Sequence, residues 1–153
     1  MHHAADTPDD DVASAAAPPR VRVAGAVVLA AGAFGVLHVV QLFNVITFIR
    51  GPFAVVPYVM SVEAVAAVVL GVAYARARGW AVLATIVTAA LLAVTSGAWF
   101  VFALAHGLFT LFGMLEPGLA VLALALAVVA KGACERASAA RKRLEQAGFQ
   151  LGV

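Results

Sequence analysis

The sequence predicts an all-α integral membrane protein, a four-transmembrane-helix bundle with both termini cytoplasmic, and two observations carry that prediction. Of the 153 residues, 64% are hydrophobic and only 12% are charged, whereas a soluble domain has about 25% charged residues. The charges lie almost entirely outside four long apolar stretches. Each stretch has the roughly 20 residues that a helix needs to cross a hydrocarbon layer, and each is far longer than a barrel strand of about ten residues.

These stretches divide the chain into three regions. Residues 1–19 form an acidic N-terminal tail that is too polar to bury an apolar core, so we expect it to be disordered. The transmembrane domain covers residues 20–131, and a basic C-terminal helix or tail follows at residues 132–153. The four spans are expected at about 23–49, 52–75, 80–105 and 108–130.

The distribution of Lys and Arg predicts the orientation. Nine of the ten basic residues would lie on one side of a four-span protein, and only Arg50 would lie on the other. Because positive residues are retained on the cytoplasmic side, we expect a protein of the cell inner membrane with both termini in the cytoplasm. The net charge of +2 gives no reason to expect a nucleic-acid partner. The expected partners are the lipid bilayer and its anionic headgroups, which five basic residues would contact: Arg76, Arg78, Arg141, Lys142 and Arg143.

The first two spans form a helical hairpin. Span one is longer than a bilayer requires, so we expect it to be tilted or to extend past the lipid. Span two begins either at Pro52 or at Pro57, because proline suits the first turn of a helix, where its missing N–H needs no partner. The second alternative leaves residues 51–56 as an interfacial loop.

Span three begins at Trp80, an aromatic anchor for the membrane interface, and ends at the turn His106–Gly107. In span four, Pro117 predicts a kink. A rival interpretation starts the fourth helix at Pro117 and makes the preceding residues re-entrant. That helix would be only about 21 Å long up to residue 130, which is short for a crossing, so we favour the kinked, continuous span. After it, Ala133–Ala147 predicts a helix that leaves the membrane.

Small residues spaced along the spans predict where the helices meet, because such residues let helix backbones approach closely in lipid. They also indicate either a homo-oligomer or a partner membrane subunit. The predicted packing positions are Gly35, Ala67, Gly71, Ala93, Gly97, Ala123 and Ala127.

A few polar side chains inside the spans form the candidate proton or ligand site. The spacing of three residues puts His38, Gln41 and Asn44 on one stripe of span one, and we expect His38 and Glu63 at the same depth near the bilayer middle. Glu116 shares that layer if span four is continuous. Burial favours the neutral forms of both groups, so we expect a neutral Glu63 to donate a hydrogen bond to His38.

Two functions are consistent with this pattern. The first is a small non-enzymatic inner-membrane protein, a subunit or scaffold of a larger complex, in which the polar groups fix helix contacts. The alternative is a proton-coupled carrier or channel component that uses the His38/Glu63 pair. A lipid- or quinone-linked enzyme is a third hypothesis, although no catalytic residue, cofactor or metal site is predicted.

Overall fold

Four long α-helices make up the computed structural model, which describes residues 14–44, 51–108 and 111–148, without the side chains of residues 52 and 53. Each helix is long and apolar enough to span a membrane. The prediction of an all-helical chain with four such helices is therefore confirmed for the described residues. The helices are α1 (Pro19–Phe43), α2 (Val56–Ala75), α3 (Ala81–His106) and α4 (Leu111–Gln146), and a short 3-10 helix, Pro52–Val55, leads into α2.

The helices pack as a ring in which each contacts its neighbours in the chain and α1 also contacts α4. α1 and α2 run antiparallel, as shown by the contact of Gly25 near the start of α1 with Ala75 at the end of α2. α1 and α4 also run antiparallel, since His38 near the end of α1 meets Glu116 near the start of α4. We call the end of the bundle that contains Pro19 and the α2–α3 turn at residues 76–80 the basic end. The opposite end, where α1 and α3 finish and α2 and α4 begin, is the distal end.

Glycine residues bring the backbones of α1 and α2 into direct contact. A Cβ atom added to Gly25 would lie 2.5 Å from the backbone nitrogen of Ala75, and one added to Gly32 would lie 2.7 Å from the carbonyl oxygen of Ala64. From the other helix, a Cβ at Gly71 would lie 2.6 Å from the backbone nitrogen of Leu29. No larger residue fits these positions unless the helices separate, so this interface depends on glycine.

The fourth helix is continuous from Leu111 through Pro117, so the rival start at Pro117 is not what the structure shows. The helix also continues past residue 130, where the predicted fourth span ends. It runs for 36 residues, or about 54 Å at 1.5 Å per residue, which exceeds a hydrocarbon core of about 30 Å. The part beyond residue 130 packs against the bundle through a stripe of small or apolar side chains: Ala133, Cys134, Ala137, Ala140 and Leu144.

This extension of α4 also holds the chain ahead of α1. Ala15 is buried against Ala140 and Leu144, and the Arg141 guanidinium donates hydrogen bonds to the carbonyl oxygens of Ala15, at 3.3 Å, and Arg76, at 3.1 Å. Ala15, within the predicted tail, therefore packs against α4, and the disorder of the tail stays a prediction. Residues 1–13 of the predicted tail lie outside the described residues.

The remaining differences concern helix boundaries. α1 begins at Pro19, four residues before the predicted position, and residues 45–50 of the predicted first span lie outside the described residues. α2 begins at Val56 with Pro57 in its first turn. Proline is accommodated there because its missing N–H would have no helical partner. α3 agrees with the predicted span to within one residue at each end.

The glycine contacts predict a position-specific effect of adding one methyl group. Gly71→Ala forces a Cβ toward the backbone of α1, so it should lower the free energy of unfolding by about 1–3 kcal/mol. Gly118→Ala is the matched control, because no atom lies within 4 Å of its Cβ position and alanine is the better helix former by about 1 kcal/mol. Unfolding in mixed detergent micelles, followed by circular dichroism, measures both. Equal stability of the two variants would contradict the described interface.

Candidate functional site

A fully buried polar contact in the described bundle joins the first helix to the last. Nδ1 of His38 on α1 is hydrogen-bonded to Oε2 of Glu116 on α4, and both residues have 0% of their surface exposed. His38 lies on the same buried face of α1 as Ala31 and Gly35. Glu116 lies on the same buried face of α4 as Ala120. The two buried faces thus bring an imidazole and a carboxyl group together across the α1–α4 interface.

Gly35 provides the space that the Glu116 carboxyl group occupies. A Cβ atom at Gly35 would lie 3.0 Å from Oε1 of Glu116 and 2.9 Å from the Cβ of Ala64. Both distances are shorter than ordinary van der Waals contacts. The glycine therefore serves two interfaces at once, because it admits α2 on one side and the carboxyl group of α4 on the other.

Aromatic and apolar side chains close the pair toward the distal end. The indole of Trp99 on α3 meets the His38 imidazole edge to face, with 6.4 Å between ring centroids. Trp99 packs in turn with Phe102, whose ring stacks on His106 with centroids 4.1 Å apart. Trp99 also belongs to a buried apolar cluster that flanks the pair: Val39, Leu42, Met60 and Trp99.

Glu63 makes a different contact from the one expected. Its Oε2 accepts a hydrogen bond from the Thr95 hydroxyl at 2.5 Å, and the expected bond from Glu63 to His38 is replaced by the bond between His38 and Glu116. The ring order of the helices explains the difference. Glu63 lies on the flank of α2 that meets α3, whereas the His38 imidazole is directed toward α4. The sequence indicated an interior histidine and two interior carboxyl groups, but not which helices are neighbours.

Along the described helices, the pair lies nearer the distal end than the basic end. His38 comes five residues before the last residue of α1, and Glu116 comes five residues after the first residue of α4. At 1.5 Å per residue, each is about 8 Å from its helix end. Glu63 is seven residues into α2, about 11 Å from its start. These three groups share the distal half of the described bundle, and their depth in a bilayer stays a prediction.

The other predicted polar residues contribute less. Oε1 of Gln41 is buried and has no hydrogen-bond partner in the described structure. Asn44 is exposed, and its side-chain nitrogen donates to the carbonyl oxygen of Val40 in its own helix at 3.2 Å. Within residues 14–44, 51–108 and 111–148, no three His, Cys, Asp or Glu side chains cluster as metal ligands would.

All but one of the predicted packing positions lie at helix contacts or in the core. Gly35 and Gly71 lie against the facing helix backbone or side chains, and Ala67 lies 3.0 Å from where a Cβ of Gly32 would be. Gly97 is different, because no atom lies within 4 Å of its Cβ position. Three further positions pack in the core, one of them only partly buried: Ala93 (partly buried), Ala123 and Ala127.

Sequence reasoning missed one buried polar contact, that of Tyr74. Its hydroxyl donates a hydrogen bond to the carbonyl oxygen of Ala127 at 2.7 Å, and this bond connects α2 to α4 across the ring. Tyr74 follows Glu63 by eleven residues, which is three helical turns, so both lie on one face of α2. That spacing could have indicated from the sequence that Tyr74 lies on the same face as Glu63.

Two atoms of the buried pair remain without a partner among the described residues: Nε2 of His38 and Oε1 of Glu116. Leaving a buried polar atom unpaired costs about 1–3 kcal/mol, so such atoms call for an explanation. The arrangement can hold one proton between Nδ1 and Oε2. It also leaves a second nitrogen and a second oxygen available to a water molecule or to a proton donor.

Comparisons with known proteins add no further constraint on this site. No protein-family model matches the chain, and neither a curated protein nor a solved structure matches it. Functional inference therefore depends on the side chains and their contacts.

The pairing of His38 with Glu116 predicts which substitutions are energetically coupled. In a double-mutant cycle, His38→Ala and Glu116→Ala should show a coupling energy of about 0.6–2 kcal/mol, the range for interhelical hydrogen bonds in membranes. His38→Ala and Glu63→Ala should be additive within about 0.5 kcal/mol, as for residues without shared partners. The free energy of unfolding in micelles gives both values. Coupling of His38 to Glu63 but not to Glu116 would contradict the observed contact.

Proposed function

We propose that this chain is a multi-pass protein of the cell inner membrane that serves as a non-enzymatic subunit or scaffold of a membrane complex. The observation that carries the proposal is that the interior polar groups form contacts between helices. Three contacts each join two different helices: His38 with Glu116, Glu63 with Thr95, and Tyr74 with the Ala127 carbonyl. Polar groups used in this way fix the register of a bundle and make its outer surface rigid.

That outer surface is suited to lipid or to another membrane helix. Large apolar side chains project from the outer face of the bundle, with 72% of Val62, 71% of Leu83 and 76% of Val129 exposed. A soluble monomer rarely exposes so continuous an apolar surface. The exposure supports membrane insertion, with the polar contacts inside and the apolar residues outside.

Gly97 supports a contact with a partner helix. Glycine within a helix costs about 1 kcal/mol relative to alanine, and the glycines of the α1–α2 interface are explained by the close approach of the facing helix. Gly97 on α3 is half-buried, yet nothing approaches its Cβ position within 4 Å. A close contact with a helix from a second copy or another subunit would account for a glycine at this position.

Association should therefore depend on Gly97. Gly97→Leu is expected to weaken association with itself or with a co-purifying membrane subunit by about tenfold or more, about 1.4 kcal/mol, while helix content is unchanged. Val129→Leu on α4 is the control, because Val129 is 76% exposed and lies on a different helix. Förster transfer between labelled copies in liposomes, together with mild-detergent co-purification, gives the result. A strictly monomeric wild type without a partner, or unaffected association of Gly97→Leu, would argue against the subunit role.

We further propose that the basic end faces the cytoplasm. Arg20, Arg22, Arg76 and Arg78 lie at this end together with the basic extension of α4, as the positive-inside rule requires of a cytoplasmic face. Contacts with anionic headgroups are proposed for the basic residues here. Arg141 is the exception within the predicted headgroup set, because its guanidinium is bonded to carbonyl oxygens of the protein.

Single cysteines placed at the two ends test this orientation. The native Cys134 is fully buried and is a poor probe, so we replace it with alanine. In that background Gln146→Cys should react with a membrane-impermeant maleimide only after cells are permeabilised, and Leu108→Cys should react in intact cells. Both positions are exposed in the structure. The opposite pattern would reverse the proposed orientation, and labelling of both cysteines in intact cells would place the two ends on the same side and contradict the span count.

A proton-coupled carrier or channel component is the second candidate function. The specific observation in its favour is the unpartnered Nε2 of His38 and Oε1 of Glu116. The pair to consider is therefore His38 with Glu116, in place of the expected His38 with Glu63. A purely structural pair would be more stable if these two atoms were also hydrogen-bonded. A site that exchanges a proton or a water molecule needs such free atoms to bind it.

Proton flux into proteoliposomes distinguishes the two functions. If the carrier function holds, Glu116→Gln should abolish a flux that Glu63→Gln leaves largely intact, with both variants folded by circular dichroism. The conservative Gln keeps the shape of the side chain and removes its titration. Absence of flux in the wild type, or equal flux in folded Glu116→Gln protein, would exclude the carrier and leave the scaffold role.

A further inference from the structure

Glu63 differs from Glu116 in its access to the outside of the bundle. Glu116 has none of its surface exposed, whereas Glu63 keeps 8% exposed at the seam between α2 and α3. Apolar side chains with large exposed fractions lie close to it in sequence on both helices. On α2, Val62 directly precedes Glu63 and is 72% exposed, and Val59, one turn earlier, is 40% exposed. On α3, Val94 directly precedes Thr95 and is 69% exposed, and Leu91, one turn earlier, is 50% exposed. The carboxyl group is therefore set into an apolar surface.

The Thr95 hydroxyl can serve Glu63 in both protonation states. The hydroxyl oxygen is 2.5 Å from Oε2 of Glu63 and 3.0 Å from the carbonyl oxygen of Leu91 in its own helix. When Glu63 is neutral, its proton is donated to the hydroxyl, which donates its own to Leu91. When Glu63 is ionised, the hydroxyl turns and donates to the carboxylate. Neither state leaves the hydroxyl without a partner, so gain or loss of the proton needs no movement of the helices.

Among the described residues, no basic side chain forms an ion pair with Glu63. His38 pairs instead with Glu116, and Lys131 pairs with Glu135 on the α4 extension. Glu116 acts electrostatically on Glu63, and it is itself bonded to His38. An uncompensated carboxylate in hydrocarbon costs several kcal/mol, and either a proton or an incoming cation removes that cost. A cation that arrives through an apolar surface must itself have an apolar body.

We propose that Glu63 and Thr95 form a binding site for an amphipathic organic cation, which enters from the lipid side and replaces the proton of the Glu63 carboxyl group. The exposed valines and leucine contact the apolar body of the cation, and the carboxylate pairs with its charge. The inference is independent of the scaffold role and of the buried His38–Glu116 pair.

Chemical labelling of the wild-type protein in phospholipid vesicles tests the site without any variant. Dicyclohexylcarbodiimide dissolves in lipid and reacts with a carboxylic acid there. The acid proton passes to a carbodiimide nitrogen, the carboxyl oxygen bonds to the central carbon, and the acyl group then migrates to nitrogen. The product is an N-acylurea that retains every atom of both reactants, and mass spectrometry of peptides locates it. We expect adducts on Glu63 and none on Glu116.

Protection by a cation tests the ligand class. Tetraphenylphosphonium should slow the labelling of Glu63 about threefold or more when its concentration exceeds twice the dissociation constant. Tetraphenylborate, an anion of the same size and shape, should not. Failure to label Glu63, equal labelling of Glu63 and Glu116, absence of protection, or equal protection by the two ions would each overturn the proposal.

The role of Thr95 is tested by two matched variants. Thr95→Ser keeps the hydroxyl and should keep the protection by tetraphenylphosphonium, whereas Thr95→Val keeps the shape, removes the hydroxyl and should reduce the protection. A purely structural threonine would alter stability in Thr95→Val without altering protection in the fraction that remains folded. Unchanged protection in folded Thr95→Val protein would remove Thr95 from the site.

Discussion

The contact between His38 and Glu116 is the interaction on which the rest of the bundle depends. It joins the first helix to the last and so closes the ring of four, and it does so with two groups that have no exposed surface. Removing either group would leave the other buried without its hydrogen-bond partner, which costs about 1–3 kcal/mol. The pairing therefore constrains the rotation of α1 and α4 about their axes, and the faces that they present to α2 and α3 follow.

The close packing of α1 on α2 is the second constraint, and it meets the first at Gly35. The glycines of this interface admit the backbone of the facing helix, and Gly35 also leaves space for the Glu116 carboxyl group. In lipid the hydrophobic effect gives helices no reason to associate, so close van der Waals contact and interhelical hydrogen bonds must hold them together. Both kinds of interaction converge on one segment of α1, from Gly32 to His38.

The sequence predicted the helices far better than the pairs between them. Apolar length and the flanking basic residues identified four spans, and α3 was placed to within one residue at each end. His38 and Glu116 were expected in one layer of the bundle if the fourth span is continuous, and α4 is continuous through Pro117. The predicted partner of Glu63 was wrong, because hydrophobic periodicity shows which face of a helix is buried but not which helix packs against that face. A helix was predicted over Ala133–Ala147, where α4 continues to Gln146, but its packing against the bundle was not predicted, since alanines give no strong apolar face in sequence. Tyr74 was overlooked although its eleven-residue spacing from Glu63 put it on the same face.

The distance between the His38 imidazole and the two interior carboxyl groups tests this account most directly. Solid-state NMR of the protein in lipid bilayers, with ¹⁵N in His38 and ¹³C in the side-chain carboxyl carbons of Glu63 and Glu116, measures it by dipolar recoupling. A hydrogen bond requires Nδ1 of His38 to lie within about 4 Å of the carboxyl carbon of Glu116, with no comparable contact to Glu63. A short distance to the Glu63 carbon, or none to either carboxyl group, would contradict the ring closure on which the fold and both candidate functions are built.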